Sequence, residues 1–425
     1  MARISVVGSG YVGLTTGACL AHVGHEVTCV DVDADKIARL RAGEVPVHEP
    51  DLDRVLSDAR AAGRLDFTDD PAAGVRDAEF VYLCLPTPRR PDGAADLSAV
   101  TAAATAIGPE LRAGTIVVTK STVPVGAHEQ VAAALGRTDV AVVANPEFLR
   151  EGAAISDFLG PDRIVVGSHD RAAARRVVAL HAPAGVPVVV TDPISAETIK
   201  YASNAFLATR LSFCNGVAAL CEAVGADVDD VLDGMGHDRR IGHDFLRPGP
   251  GWGGSCFPKD TDALLAIAAA HGYDFGLLRH AVEANRAQFD RVVGKVVALA
   301  GGSVAGVRIA AWGLTFKADT DDLRGSPATE ILHRLVDAGA RVCAYDPTVR
   351  RPPAGLDVEI ADDPYTACDG ARVLVVLTEW DELRDADLGK VAEVLAARNI
   401  VDARNLLDRA EVARLGFTYR GIGRG

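Results

Sequence analysis

Short apolar runs alternate with stretches of helical periodicity along most of this chain, which predicts parallel strands covered by helices. The first run, Arg3 to Val7, predicts a buried strand. It leads directly into Gly8-Ser9-Gly10-Tyr11-Val12-Gly13 and a helical pattern from Leu14 to His22. A second strand, Glu26 to Val30, ends at Asp31. Further strands are predicted at Ala78 to Leu85, Thr115 to Thr119, Val140 to Ala144, Arg163 to Gly167 and Pro187 to Thr191. Asp192 then reads as an N-cap with Pro193 at the first helical position, opening a helical pattern that reaches about Val224. If continuous, that helix spans roughly 45–50 Å at ~1.5 Å per residue, a natural spine between domains and a dimer surface.

A helix is predicted from Ala226 to Met235, and helical patterns fill Thr261 to Ala300. Gly301 and Gly302 mark a linker. The strand-helix rhythm then resumes with strands at Arg308 to Trp312, Arg341 to Tyr345, Val373 to Leu377 and Asn399 to Val401, and a helix from Ser326-Pro327. The fold class expected is α/β: two Rossmann-like doubly wound domains joined by a long central helix and a helical dimerisation region. The expected boundaries are 1–191, 192–300 and 301–425, which suits a chain of 425 residues.

Charge and cysteine usage narrow the partners. A net charge of −14 argues against a nucleic-acid partner, which needs a basic face. No apolar run is long enough to span a membrane, and the N-terminus has no signal-peptide pattern. The eight cysteines form no CxxC pair, so neither a metal site nor a disulfide framework is expected. Most lie in apolar runs and read as small buried residues; only Cys256 lies in a polar glycine loop. A reducing cytoplasm fits this usage.

Three places carry candidate chemistry. The first is the strand, glycine turn, helix, strand and acid of the N-terminal stretch, the pattern of a dinucleotide site. Its glycines allow a tight turn and let a pyrophosphate reach the helix N-terminus. Asp31 stands where an acid binds a ribose hydroxyl, and its charge would repel a 2′-phosphate, favouring NAD over NADP. Lys36 opens the next helix and faces the same end of the cofactor. An ordinary βα turn is the structural alternative.

The second place is the set of strand ends. Thr87, Thr122 and Glu147 each follow a predicted strand, where open α/β sheets bind ligands. A turn or helix cap would explain each of them singly. Lys200 and Asn204, four apart on one face of an apolar helix, form a pair able to polarise a substrate oxygen, although a solvated lysine is the plainer reading. In the C-terminal half, Lys317 and Arg324 follow a strand and suit a phosphate, unless they pair with Asp319, Asp321 and Asp322.

The third place is Gly249 to Asp260, GPGWGGSCFPKD. Its glycines suggest close backbone approach to a ligand rather than packing. Cys256, beside Lys259 and Asp260, reads as a nucleophile for a substrate already oxidised by nicotinamide chemistry.

Taken together, the stretches GSGYVGL, STVPVG, NPEFLREG, KYASNAFLATR, RIGHDFLRPGPGWGGSCFPKD and GLTFKADTDDLRGSP resemble the UDP-glucose/GDP-mannose dehydrogenase family over nearly the whole chain. The step from Pro-Gly through Trp252 to the cysteine resembles the UDP-glucose branch. The resemblance implies a dimer, an N-terminal domain for NAD and a C-terminal domain for the nucleotide of a sugar donor. It implies oxidation of UDP-glucose to UDP-glucuronate with two NAD and one water. Gly8, Gly10, Tyr11, Val12, Gly13, Asp31 and Lys36 resemble cofactor contacts, and Thr87, Thr122, Glu151, Lys259 and Arg324 resemble residues completing the nicotinamide site. Glu147, Phe148, Leu149, Arg150, Glu151, Lys200, Asn204, Phe245, Leu246, Arg247, Pro248, Gly249, Gly253 and Lys317 resemble substrate contacts. Arg240 resembles an arginine that reaches the neighbouring subunit's substrate, and relatives often differ at the position of Arg247. Cys256, Lys200, Asn204, Asp260, Thr122 and Glu147 resemble the catalytic set.

The same chemistry on dTDP-glucose, GDP-mannose or a UDP-N-acetylhexosamine is the neighbouring alternative. A two-electron hydroxyacid-type dehydrogenase needs neither Cys256 nor a second α/β domain. A non-catalytic nucleotide-sugar sensor is a further class, but it should have lost Cys256, Lys200 or Asp260.

Overall fold

The computed structural model describes residues 1–181 and 185–424. They pack as two compact units, Met1–Ser203 with Asp262–Tyr273, and Asn204–Thr261 with Asp274–Gly425.

The first unit is built on eight strands: β1 (Arg3–Val7), β2 (Glu26–Val30), β3 (Leu65–Thr68), β4 (Phe80–Leu83), β5 (Ile116–Thr119), β6 (Ala141–Ala144), β7 (Ile164–Gly167) and β8 (Val188–Thr191). Their order is β3-β2-β1-β4-β5-β6-β7-β8. All neighbours are parallel except β6 and β7, which meet antiparallel at Ala144 and Gly167. Because β1 pairs with both β2 and β4, the order reverses between β1 and β4, and that switch point opens a crevice beyond their carboxyl ends. Seven of these strands were expected from the pattern. The eighth, β3, was missed because Leu65-Asp66-Phe67-Thr68 buries only alternate residues at a sheet edge and shows no continuous apolar run.

The second unit carries six strands: β9 (Arg308–Trp312), β10 (Arg341–Tyr345), β11 (Glu359–Ile360), β12 (Val373–Val376), β13 (Asn399–Asp402) and β14 (Thr418–Arg420). Their order is β11-β10-β9-β12-β13-β14, all parallel. The two edge strands were not expected; they are too short to leave a pattern. This sheet has its own switch point between β9 and β12. One core joins Cys214, Ala218, Leu232 and Phe289 to Ile309, Leu332, Val342 and Val375. Packing thus runs across Gly301 and Gly302, whose φ values of +101° and +97° make a turn after the Gly276–Leu299 helix. The division at 191 and 300 is one of chain segments, which packing groups into two units.

The long helix is continuous from Pro193 to Val224, 32 residues or about 48 Å. Asp192 caps it as expected, accepting from the Ser195 amide at 2.8 Å. The helix after the cysteine begins at Phe257 rather than Thr261. Pro258 is tolerated because the first turn needs no amide donor there, and the Cys256 carbonyl accepts from Asp260 N at 2.9 Å. Lys259 and Asp260 are therefore first-turn residues. Among the described residues no helix is long and apolar enough to cross a membrane.

Candidate active site

At the first switch point each fingerprint glycine has a distinct physical reason. Gly8 follows β1 at φ +99°, and a Cβ there would lie 2.4 Å from the Cys84 carbonyl oxygen after β4. A Cβ on Gly13 would lie 1.8 Å from the Gly8 carbonyl oxygen. Gly10 has nothing within 4 Å of its missing Cβ and caps the Tyr11–His22 helix without using a side chain. The first and third glycines close the turn, and the second leaves open space against a helix N-terminus, as a pyrophosphate requires. Asp31 accepts from Ser9 N at 2.9 Å and from Lys36 Nζ at 2.9 Å. Burial works against its charge, but Lys36 and the amides of Asp33 and Ser9 hold its carboxyl below the usual range. The residues present thus fit a dinucleotide with a free 2′-hydroxyl. Tyr11 is already engaged: its hydroxyl donates to Glu49, which also accepts from Gly152 N at 2.6 Å and Ala154 N at 2.7 Å. Glu49 is buried and ties the cofactor helix to the loop that follows Glu147. Sequence reasoning missed it, since an acid in a polar segment carries no pattern.

The strand ends of the first unit come together in part. Thr87 Oγ1 donates to the Thr122 carbonyl at 2.7 Å. Thr122, Pro146, Glu197 and Lys200 line one small pocket. Lys200 Nζ donates to Glu147 Oε1 at 2.9 Å, and both side chains are buried. Glu147 also accepts from Leu149 N at 2.6 Å. Burial opposes its charge, yet Lys200, Leu149 N and Lys120 hold it below the usual carboxylate range. Phe148 lies 5.4 Å from the Lys200 ammonium, ring centroid to nitrogen, and stacks at 3.7 Å on the Arg163 guanidinium. Arg150 is turned to the surface in a two-point pair with Asp157, and Glu151 acts electrostatically on Tyr11.

Two buried charged groups escaped sequence reasoning. Lys120, just after β5, donates to Asn145 at 3.0 Å, and burial lowers it to about 8. Glu197 accepts from Gly126 N at 2.6 Å and His128 N at 3.0 Å, and burial raises it to about 7. Glu197 stands one helical turn before Lys200, so an acid on an otherwise apolar helical stretch was its available signal.

In the second unit, Cys256 stands at the amino end of the Phe257–Ala270 helix. Its sulfur lies 3.5 Å from Ser255 Oγ. Cys256 is partly exposed while the other seven cysteines are buried. Asp260 is fully buried and held from both sides, by Asn204 Nδ2 at 2.6 Å and Lys259 Nζ at 2.5 Å. Lys200 and Asn204 occupy successive turns of the long helix.

The glycine loop itself corrects the expectation that it resists explanation by packing. A Cβ on Gly253 would lie 1.9 Å from the Gly325 carbonyl oxygen. Gly254, at φ +82°, would meet the Phe316 ring at 3.0 Å, and Gly251 would meet Phe289 at 2.5 Å. These glycines let the loop press against its own unit. Polar side chains from two helices then fix it. Asn285 exchanges two 2.8 Å bonds with the Trp252 backbone, and Ser212 accepts the Trp252 indole N–H at 2.8 Å. Asn215 and Gln288 hold the amide and carbonyl of Gly249, each at 2.8 Å. None of these four was foreseen; buried polar residues on apolar helices were the signal.

The remaining predicted residues lie nearer the surface. Phe245 adopts φ +58°, uncommon for a bulky side chain, and opens the stretch in which Leu246 is buried, Pro248 and Gly249 are partly buried, and Arg247 is exposed. Arg240 is exposed and makes a two-point pair with Asp238. Arg324 makes one with Asp322, the pairing weighed against a ligand role. Lys317 lies 5.7 Å from the Phe316 ring centroid on the loop after β9.

Three sequence models of the UDP-glucose/GDP-mannose dehydrogenase family match the chain: the NAD binding domain at residues 2–185, the central domain at 194–287 and the UDP binding domain at 310–409. UDP-glucose 6-dehydrogenase of Rhizobium meliloti is 47% identical over 436 residues, covering 99% of both chains. TuaD of Bacillus subtilis, also a UDP-glucose 6-dehydrogenase, is 44% identical and covers 100% of this chain and 94% of its own. A solved UDP-glucose dehydrogenase from Pyrobaculum islandicum aligns with a TM-score of 0.92 at 36% identity, covering 100% of this chain and 98% of the other.

Proposed function

This chain belongs to the UDP-glucose/GDP-mannose dehydrogenase family, and we propose that it is a UDP-glucose 6-dehydrogenase, oxidising the sugar's C6 alcohol to a carboxylate. The observation that carries the proposal is Cys256, the one partly exposed thiol, at a helix N-terminus next to the doubly held Asp260. A two-electron hydroxyacid-type enzyme has no use for it.

NAD, when bound, accepts the hydride of each of the two oxidations. Gly8, Gly10, Gly13 and Asp31 would hold it, with Thr87, Thr122, Glu151, Lys259 and Arg324 completing the nicotinamide site. In the first oxidation the C6 hydroxyl loses a proton and C6 a hydride, leaving an aldehyde. Lys200 and Asn204 stabilise negative charge on the reacting oxygen. The Cys256 sulfur adds to the aldehyde carbon, giving a thiohemiacetal. Loss of a second hydride and proton converts that adduct to a thioester. Water, positioned by Asp260 and Thr122, then displaces the sulfur and releases the carboxylate and the free thiol. Asp260 is suited to positioning because Asn204 and Lys259 fix both of its oxygens. Glu147 belongs to the catalytic set by resemblance; its lowered carboxyl would make it a weak base, and its role here is to hold Lys200.

Substrate contacts are assigned to Phe148, Leu149, Arg150, Phe245 to Gly249, Gly253 and Lys317, and to Arg240 toward a neighbouring subunit. The segments 1–191, 192–300 and 301–425 take cofactor binding, dimerisation with the cysteine loop, and nucleotide binding. The partner is a second copy of the chain: Phe206, Phe213, Leu220 and Val224 are exposed along the long helix at seven- and four-residue spacing. Sedimentation of a Phe213→Glu/Leu220→Glu variant tests this, since a dimer that survives both charges refutes the surface. A reducing, cytoplasmic setting fits eight cysteines that form no disulfide.

The test is stoichiometry with limiting UDP-glucose and excess NAD. Two NADH per sugar are expected. One NADH would remove Cys256 from the reaction, and none would redirect the reading to dTDP-glucose, GDP-mannose or a UDP-N-acetylhexosamine.

A further inference from the structure

A second cluster of ligating side chains lies apart from the groups assigned to the dehydrogenase reaction. Asp233 and His237 are one turn apart at the end of the Val228–Gly236 helix, and His243 returns to them from the following turn. His237 Nε2 lies 3.5 Å from one Asp233 oxygen, and His243 Nδ1 lies 3.7 Å from the other. One donor atom from each of the three residues can be chosen so that all lie within 4.8 Å of one another. Donors held ~2.1 Å from a tetrahedral ion stand roughly 3.4 Å apart, so small side-chain rotations would close this set around one ion.

The backbone is shaped for the arrangement. A Cβ on Gly236 would lie 2.2 Å from His243 Nδ1, so the imidazole has its place only because residue 236 has no side chain. The two imidazoles meet edge to face, with centroids 5.0 Å apart. The turn that presents His243 is tied down: Arg210 Nη2 donates to the carbonyls of Ile241 at 2.8 Å and Gly242 at 2.7 Å, and Leu246 N donates to the His243 carbonyl at 3.2 Å. A bare surface ion pair between Asp233 and His237 would need neither the glycine nor the second histidine.

We propose that Asp233, His237 and His243 form a binding site for a borderline divalent transition-metal ion of the zinc, nickel and copper class. Two imidazole nitrogens and one carboxylate oxygen suit those ions and not magnesium or calcium, which take oxygen ligands. All three side chains are more than half exposed, so the ion enters freely and keeps water in its remaining positions. Its occupancy pins the 237–243 turn to the helix end. That turn leads directly into Phe245 to Gly249, so the ion restrains the approach to that segment.

The test is titration of untagged, full-length protein with Zn2+ against a chromophoric chelator. One ion per chain is expected at this site. His237→Ala and His243→Ala should each weaken it by more than about tenfold, and Gly236→Ala should weaken it while removing no ligand. Cys256→Ser should leave it intact, because the partly exposed thiol is the other attractive zinc ligand, and excess Mg2+ should not displace the ion. Unchanged circular dichroism and NADH production without zinc in His237→Ala would show that the variant is folded. Equal zinc affinity in the His237→Ala/His243→Ala double variant would overturn the site, as would binding lost only in Cys256→Ser, or no zinc bound at micromolar concentration.

Discussion

Replacing Glu147 by glutamine removes one charge from a pair that is almost wholly out of water. Lys200 Nζ and Glu147 Oε1 are 2.9 Å apart, with 4% and 7% of their side chains exposed. At that distance, with an effective dielectric constant of about 20, the attraction is roughly 6 kcal/mol. Desolvation of two ions offsets several kcal/mol each, so the intact pair contributes little net stability. Breaking it is different. Glutamine still accepts from Leu149 N, but Lys200 loses its buried carboxylate at 2.9 Å, and removing one partner of a buried ion pair costs about 3–5 kcal/mol.

All three tryptophans, Trp252, Trp312 and Trp380, belong to the second unit, so tryptophan fluorescence would not report this loss. Hydrogen exchange read by mass spectrometry on peptides spanning residues 116–151 reports it directly. At 1.4 kcal/mol per factor of ten, exchange limited by local opening should accelerate about a hundredfold to a few thousandfold. Glu147→Gln/Lys200→Met should recover much of that protection, because neither charge remains, while hydride transfer stays impaired. The pH dependence has a definite sign. Glu147's folded carboxyl is lowered, so its contribution is present above the unfolded value and lost as pH falls through the folded one. Protection in the native protein should therefore fall with acid more steeply than in the variant. Exchange within twofold of wild type in Glu147→Gln at neutral pH would refute the reasoning.

Cys256→Ser should stop after the first oxidation or trap an ester-like adduct; a variant that yields two NADH per UDP-glucose at the wild-type rate would exclude the covalent step. Gly253→Ala and Gly10→Ala form a contrasting pair. The first places a methyl 1.9 Å from a carbonyl oxygen and should destabilise its unit by at least about 1–3 kcal/mol in urea unfolding. The second meets nothing within 4 Å and should leave stability unchanged while raising the KM for NAD; equal stability losses in the two would contradict the assignment. Lys120→Met tests a buried amine lowered from 10.5 to about 8, worth up to about 3 kcal/mol of charging cost below pH 8. The native protein binds fewer protons than the unfolded chain between those values, so wild-type stability should rise with pH there, and the methionine variant should be more stable at pH 7. No gain at pH 7 would show that Lys120 is neutralised by its neighbours.

Continuous apolar runs revealed most of the strands, including the edge strand β8, whose four residues are exposed or only partly buried. The sequence concealed β3, β11 and β14, which lie at edges or are two to four residues long. The fingerprint was legible because each glycine has a fixed offset from a strand and a helix. Lys200, Asn204, Cys256 and Asp260 were legible because polar residues interrupt an apolar helix or a glycine loop. Glu197, Asn215 and Asn285 interrupt apolar helices in the same way, but their partners, like those of Glu49 and Lys120, are backbone groups or side chains far away in sequence. No local spacing encodes such a contact.

The cysteine loop shows how a functional reading can rest on a partly mistaken physical one. Its glycines were read as freedom, a backbone left open for a ligand. Gly251, Gly253 and Gly254 instead allow closure, pressing the loop against Phe289, Gly325 and Phe316 while Ser212, Asn215, Asn285 and Gln288 fix Trp252 and Gly249. A nucleophile benefits from that rigidity. In the proposed reaction the sulfur meets one carbon twice, first as an aldehyde and then within a thiohemiacetal, and would gain from a backbone that does not have to be ordered at each step. The glycines therefore serve Cys256 through packing, and the same residues that exclude a methyl group also keep the thiol at its helix end.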